Sequence, residues 1–542
     1  MMLPETATSS NVHQGDHIGW RRFRLPLFVI LVPSLMKIAL VLVHRFEVVP
    51  EVIFPLTIAF QLTALLAGML LLLWFFLASG FSRRVRLIGA GLVAGIVAML
   101  FALIRSVEFD GQMTPLVNFR WEPDPAVVLA EHLTRAGPPR GNADLSVGDN
   151  DSPAFRGRNG DGVYPDAGLA RSWPPLPRIR WKQPVGGGHS GIAVAGNAAI
   201  TLEQRGEYET IVCYDRDSGA QRWHFSYPAR FQHSEPMGGD GPRTTPVIVD
   251  GTVISLGATG ELVCLDGATG NKIWQTNILQ DNGAKNLEWG LAASPLVLGS
   301  LLIVTPGIDP RNNRGQAVAA YDRLTGEKRW ANGRYPAAYA SPMRVVLGGL
   351  EQVLVFDGAG LGGYHPADGS ELWRYPWVSD MGMNSAQPLW LGDNRLFVSS
   401  EKANGCALIE VRLEPTGVWE VRELWKTRAL AARFSNMVSH GGMVYGLSDG
   451  RLTCVDLATG QRRWRDGNYG NGQIILAGSL LMITAESGDV ALVAADPDRW
   501  HELGRMTVFS HRTWNVPALA GRHLFLRNHR EMACLELPTD KE

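Results

Sequence analysis

The chain is short of charge. Asp, Glu, Lys and Arg make up 19% of its 542 residues, below the roughly one quarter of an average soluble protein, while 46% is hydrophobic. That composition excludes a disordered chain and a charged coiled coil. Nor is there an excess of either sign, since 51 basic residues stand against 52 acidic. No bulk field exists to hold a polyanion, which argues against nucleic acid as a partner. Cysteine is scarce, with five residues, no two of them adjacent and no Cys-x-x-Cys-His for covalent haem. Thirteen histidines show no metal-type clustering. No Ser-His-Asp constellation can be argued.

Hydrophobic runs are present at the N-terminus only. Leu25 to Val43, Val52 to Gly80 and Leu87 to Ile104 each reach the 18 to 20 residues that a helix needs to cross a bilayer. Three transmembrane helices are expected. The first is interrupted by Pro26, Pro33 and Lys37, and a signal peptide competes with it, but no small-residue cleavage site follows. Arg21, Arg22 and Arg24 precede the first run, and Arg83, Arg84 and Arg86 separate the second from the third. The positive-inside rule places those arginines in the cytoplasm and exports everything after Ile104. The expected layout is a cytoplasmic tail over 1–24, a three-helix anchor over 25–104, a linker over 105–178 and a repeat domain over 179–538.

The linker is rich in Pro, Gly, Asp and Asn and reads as a tether with local structure. Asp124-Pro125 before Ala126 to Arg135 is a helix-start signature, and a short amphipathic helix is expected there. Asn159-Gly160-Asp161-Gly162 resembles a calcium loop, but Gly157 stands where the first ligand should be and Gly168 where the bidentate Glu should be. It reads as a Gly-rich turn. Gly186 to Gly191 fits Gly-x-Gly-x-x-Gly, yet a strand follows it, so it reads as a flexible turn and not a phosphate loop.

From Trp181 onward one phrase recurs: an apolar run ending in Asp, two residues, Thr or Ser, Gly, and then Trp. It occurs at Asp215 to Trp223, Asp266 to Trp274, Asp322 to Trp330, His365 to Trp373 (with His in place of Asp) and Asp456 to Trp464, and Trp425 and Trp500 close two degraded copies. The Asp can bond the following backbone and the Gly accepts a positive φ, so the phrase is a turn between two strands. A ring at the same place in each sheet can pack on its neighbour, each unit burying the next. Two shorter strands precede each phrase, as around Asp250-Gly251, giving a four-stranded antiparallel blade. The expected fold is an all-β, eight-bladed β-propeller, with Arg180 to Val185 supplying the outer strand of a last blade that ends without Trp. Cys213, Cys264, Cys454 and Cys534 share one strand site, two residues before the acidic residue at the turn, and read as small buried hydrophobes.

The Asp-x-x-Thr-Gly-x-x-x-Trp phrase resembles the tryptophan-docking repeat of pyrroloquinoline-quinone (PQQ) propeller proteins. That group includes quinoprotein alcohol and sugar dehydrogenases and a non-enzymatic branch containing BamB-like propellers. Phe155-Arg156-Gly157, Asn159-x-Asp161-Gly162, Glu288-Trp289-Gly290 and Trp514-Asn515 look like bacterial PQQ-like propellers of undetermined function. If a quinone were bound, the resemblance implies calcium with oxygen ligands, an aspartate base and a flat apolar floor. The connections leaving the Trp strands supply cofactor-binding candidates Glu288, Trp289, Asp380, Asn384, Trp514 and Asn515, beside Glu235, Asp240, Asn436 and His511.

The Cys-Cys pair common in quinoprotein alcohol dehydrogenases is missing. The leading reading is therefore a scaffold anchored in the bacterial inner membrane, with its propeller in the periplasm and a protein partner bound through the loop face. Arg243, Arg334, Tyr335, Tyr339, Tyr469 and Trp514 are its expected exposed anchors. The alternative is a PQQ- and calcium-dependent membrane dehydrogenase of alcohols or sugars.

Overall fold

The computed structural model describes residues 21–46, 53–111, 113–173, 176–233, 238–309, 311, 314–379, 382–401 and 403–540. Asp380 and Glu235 lie outside them. The chain divides into two units, 1–106 and 107–542.

The first unit is helical: α1 (Arg21–Phe46), α2 (Ile53–Leu73), a π-helical turn over Trp74–Ala78, and α3 (Arg83–Leu103). Two segments, Ala59–Ala78 and Arg83–Leu103, are long and apolar enough to cross a membrane. The third expected span is cut down to a shorter apolar stretch, Pro26–Ile38, within α1.

A hairpin follows α3, its first strand β1 (Ile104–Phe109) running across the unit boundary and its second, β2 (Pro115–Phe119), within the second unit, and then α4 (Pro125–Ala136), whose Asp124 caps it by accepting from the Ala126 amide. A two-residue strand, β3 (Val163–Tyr164), precedes the ring. Eight blades of four antiparallel strands follow, the seventh extended to five strands by β3. Their inner strands begin at Ala193, Val247, Leu296, Met343, Leu389, Met437, Gln473 and Ala518. The outer strand of the eighth is Arg178–Pro184, paired antiparallel with Glu531–Glu536, so the ring is joined as the sequence implies. In such a blade the connections into each inner strand and the turns between second and third strands open on one face, here the mouth face.

The repeat phrase works as a clasp between neighbours. Each Trp faces a small or apolar residue on the third strand of its own blade, as in Cys213↔Trp223, Cys264↔Trp274 and Cys454↔Trp464. The indole N–H typically donates to a carbonyl in the next blade's turn, Trp223 to Gly267 at 2.9 Å, Trp274 to Arg323 at 3.1 Å and Trp330 to Pro366 at 3.0 Å, whereas Trp373 donates to Gln352 Oε1 of its own blade at 2.7 Å. The turn Gly packs under the ring, with φ near +75° at Gly270 and Gly326 and no room for a Cβ. Asp266 Oδ1 accepts from the Thr269 amide and hydroxyl, fixing the turn. All five cysteines are free and buried.

The seventh blade lacks this Trp. Trp500 precedes the outer strand, and Gly504 takes the Trp position opposite Leu492. Trp173 fills the gap from outside: its amide donates to Leu503 O, and a Cβ on Gly504 would lie 2.5 Å from it.

The stretch before the ring is built into it. Leu145 joins the core of the first two blades. Ser152 pairs with Val194, Ile248 N donates to Pro153 O, and β3 lies parallel to the seventh inner strand. These are the channel-facing edges of the inner strands, so residues 152–164 run inside the ring. At the bend, Gly162 N bonds Arg156 O, and the buried Arg156 guanidinium donates to the carbonyls of Asp161 and Met437. A Cβ on Gly162 would collide with that guanidinium, which is why Gly stands there. Burial pushes Arg156 down to about 10. The Gly186–Gly191 stretch is packed, not loose: Gly186 N donates to Glu203, and Arg527 donates to Gly186 O.

A belt of hydrogen bonds links blades two to seven at the start of the inner strands. Thr245 N donates to Ser294 Oγ (2.9 Å), Ser294 N to Ser341 Oγ (2.9 Å), Ser341 N to Gln387 Oε1 (3.1 Å), Gln387 N to Asn436 Oδ1 (3.1 Å) and Asn436 N to Gln473 Oε1 (3.3 Å). Each side chain thus satisfies a buried amide of the preceding blade.

Candidate functional site

The mouth face carries a cavity of about 630 Å³ between the hairpin and blades seven and eight, lined by Glu108, Asn118, Glu486, His511, Arg512 and Arg530 among others. Glu486 lies on the turn between the second and third strands of blade seven, where the chain must reverse and its side chain is free to reach inward. Its Oε1 accepts from Gly111 N and from Trp514 Nε1, and its Oε2 from Asn471 N. Arg512 donates to Phe109 O and lies over the Trp514 ring, 4.1 Å from its centroid. Arg530 donates to Asn118 Oδ1 at 2.8 Å and has Glu108 at 3.6 Å. The hairpin is thereby fastened to the propeller through its polar side.

Arg530 also sets the state of two histidines. Its Nη1 lies 2.7 Å from His511 Nε2 and its Nε 3.0 Å from His529 Nε2. A guanidinium only donates, so both Nε2 atoms are unprotonated acceptors. His511 Nδ1 then donates to Ser510 Oγ. Burial first, and the Arg530 charge second, lower the pKa of both rings, His529 well below the ordinary value. His189, near Trp514, is lowered by burial and then by Arg243 and Arg512. The cluster holds its imidazoles neutral and its guanidiniums committed to carbonyls and carboxylates.

The residues singled out from sequence do not converge. Trp289 stacks on His233 with ring centroids 4.0 Å apart, and exposed Glu288 is 4.0 Å from His233 Nε2. Asn384 is buried before blade five, its amide donating to Asp357 O and Trp377 O. Asn515, three blades further on, donates to Ser190 O. Asn436 belongs to the belt linking blades two to seven. Burial pushes the Asp240 carboxyl up, with Arg230 opposing it. Arg243 is turned onto its own loop, donating to Gly238 O and Gly239 O. Tyr469, expected as an exposed anchor, is buried at 1% exposure and donates to Glu502. The missed residues are Glu108, Asn118, Glu486 and Arg530. None belongs to the repeat phrase, and their partners are up to 412 positions away.

The chain pairs this geometry with a clear repeat relationship. A family profile described as outer membrane protein assembly factor BamB matches residues 207–466. Over those residues the ring resembles a PQQ-like β-propeller. Solved propellers similar to it include the quinohemoprotein alcohol dehydrogenase of Comamonas testosteroni (TM-score 0.51, 11% identity, 71% of this chain and 80% of that one). Alcohol dehydrogenase ADHIIG of Pseudomonas putida HK5 gives a TM-score of 0.52 at 12% identity, over 74% and 84%. BamB of Moraxella catarrhalis gives 0.47 at 15% identity, over 67% and 100%. At these identities the likeness is one of fold. No curated protein matches the chain in sequence.

A PQQ-like propeller raises the question of a quinone with its calcium. Among the described residues no three His, Cys, Asp or Glu side chains gather to hold a metal ion. Glu288 is solvent-exposed at blade three, while the Asn384 amide nitrogen is engaged with backbone in the ring interior. The two candidate tryptophan floors each have a face covered, Trp289 by His233 and Trp514 by Arg512. The described residues do not form a calcium–quinone site.

Proposed function

We propose that this chain is a membrane-anchored, exported PQQ-like propeller that serves as a protein-binding or assembly scaffold. The observation that supports it is the use to which the mouth residues are put. Carboxylates, amides and guanidiniums that would be catalytic candidates instead hold the hairpin, the belt and the blade seams together. What stays accessible on that face is suited to a protein partner. Glu288 and Arg334 are exposed there, and Trp289, Tyr335 and Tyr339 are half-buried, Trp289 backed by the buried His233 ring and Tyr335 by the Arg374 guanidinium at 3.4 Å. Aromatic and Arg side chains of this kind dominate protein interfaces.

In this reading residues 1–24 remain in the cytoplasm, 25–104 form three spans in the bacterial inner membrane, 105–178 connect, and 179–538 face the periplasm. The arginines before α1 and at the start of α3 favour that orientation. The test is in-membrane cross-linking of full-length wild type against the double variant Trp289→Ala, Tyr339→Ala. The scaffold reading expects one cross-linked species to disappear in the double variant while the fold persists. Titration of the full-length protein with PQQ and Ca²⁺, with an artificial electron acceptor and alcohols or sugars, decides the dehydrogenase reading. Saturable binding with dye reduction would overturn the scaffold.

A further inference from the structure

The hairpin has two unlike faces. Side chains alternate along a strand, and with Asp110 paired to Thr114 the even positions of both strands share one side, where Asn118 Nδ2 donates to Glu108 Oε1 at 2.9 Å. That side is the one held by Arg512 and Arg530. The opposite parity carries Arg105 at the start of β1 and is apolar beyond it: Val107 and Phe109 on β1, Pro115, Val117 and Phe119 on β2. Val117 is 38% exposed and also borders the cavity between the hairpin and blades seven and eight. Trp121, 64% exposed, extends this side by stacking flat on Phe119, with centroids 4.2 Å apart and an interplanar angle of 8°.

The chain's continuity says what covers this face. α3, one of the two helices able to cross a membrane, ends at Leu103, and β1 begins at the next residue. At about 3.3 Å per residue, Val107 can be no more than roughly 13 Å along the chain from that helix end. The turn is closed by Asp110 N to Thr114 O, so β2 runs back and returns Phe119 and Trp121 toward the start of β1. An apolar strand face ending in a Trp stack, within that reach of a span, has the composition and position of an interfacial belt, where aromatic rings sit at headgroup level.

We propose that the outer face of the hairpin, Val107, Phe109, Val117, Phe119 and Trp121, is seated in the headgroup and upper acyl region of the exported leaflet. The hairpin then has one side in lipid and the other bonded to blades seven and eight. This rests on the membrane-anchored reading above.

The test uses full-length protein in nanodiscs of phosphatidylethanolamine and phosphatidylglycerol. The native cysteines are buried, so a single thiol introduced as Val117→Cys can be labelled with an environment-sensitive fluorophore, with Leu324→Cys on the opposite propeller face as control. Lipids carrying a quencher near the glycerol backbone are expected to remove most of the emission at position 117 and none at 324. Equal emission at both positions overturns the proposal, and so does a blue-shifted but unquenched label at 117, which would mean a protein cover. Trp121→Cys gives the same readout at a second site should Val117→Cys disturb the hairpin. Carbonate extraction of the same membranes separates the two readings. Release of the chain sinks the anchor reading itself, whereas retention with an unquenched label sinks the hairpin inference alone.

Discussion

Oε1 of Glu486 accepts the indole N–H of Trp514 and the amide of Gly111, both at 2.7 Å, so one oxygen joins a mouth-face ring to the hairpin that precedes the propeller. Truncation to Glu486→Ala leaves those two donors and Asn471 N without their acceptor, at about 1–3 kcal/mol for each that stays buried. The expected result is rapid amide hydrogen exchange over 107–119 with the inner strands still protected. Unchanged protection of the Gly111 amide would show that the latch lies elsewhere.

The belt linking blades two to seven is open to a similar test at Gln387, whose amide accepts from Ser341 N and donates to Ser341 O. Gln387→Ala removes both bonds in a buried seam between blades four and five. A loss of about 2–3 kcal/mol is expected in denaturant unfolding. Gln387→Glu is expected to recover the accepted bond and not the donated one.

Gly369 carries the docking of Trp330. Its φ is +69°, and a Cβ there would come within 2.4 Å of the indole. Gly349 has a similar φ of +77° with nothing within 4 Å. Both Ala substitutions incur the left-handed strain of about 1–2 kcal/mol, and only Gly369→Ala adds a steric clash. Gly369→Ala is therefore expected to melt below Gly349→Ala; equal melting points would refute the clasp.

Glu209 gives the propeller a pH dependence. Its carboxyl is buried, accepting from Tyr227 Oη at 2.7 Å and from Ala258 N at 3.0 Å, and burial pushes its pKa up to about 7. Raised above the unfolded value, this group costs nothing when protonated in both states, below about pH 4.5. Its penalty grows as the pH rises to about 7 and is constant beyond, at about 3 kcal/mol. Glu209→Gln is expected to match wild type near pH 4.5 and to exceed it in stability at pH 8. Parallel stability curves across that range would contradict the assignment.

Much of the ring is legible in the sequence because its determinants are local. Asp266, Thr269, Gly270 and Trp274 lie within nine residues and contain both the turn and the ring that docks, so the phrase reports blade after blade, including Arg180 to Val185 as the last outer strand. The belt was also written in the chain, as Thr245-Pro246, Ser294-Pro295, Ser341-Pro342 and Gln387-Pro388. It is harder to see because a single polar residue before Pro is a common turn signal. Trp173 replacing the absent ring at Gly504, and Arg156 inside the channel, depend on contacts hundreds of positions apart, on which local periodicity carries no information. The mouth residues illustrate a third case. Asn384 and Trp514 were visible as polar or aromatic side chains in connections, but only their geometry shows that they serve the backbone and the hairpin.

The pairing of Arg178–Pro184 with Glu531–Glu536 also has a meaning in time. Roughly 350 residues separate the two strands, and at about 5–20 residues per second their synthesis takes on the order of 20–70 s. Throughout that interval the early strand has left the ribosome and its partner has not been made. Its edge stays available to any other strand, so the newborn chain depends on whatever shields Arg178–Pro184 until the last hairpin arrives.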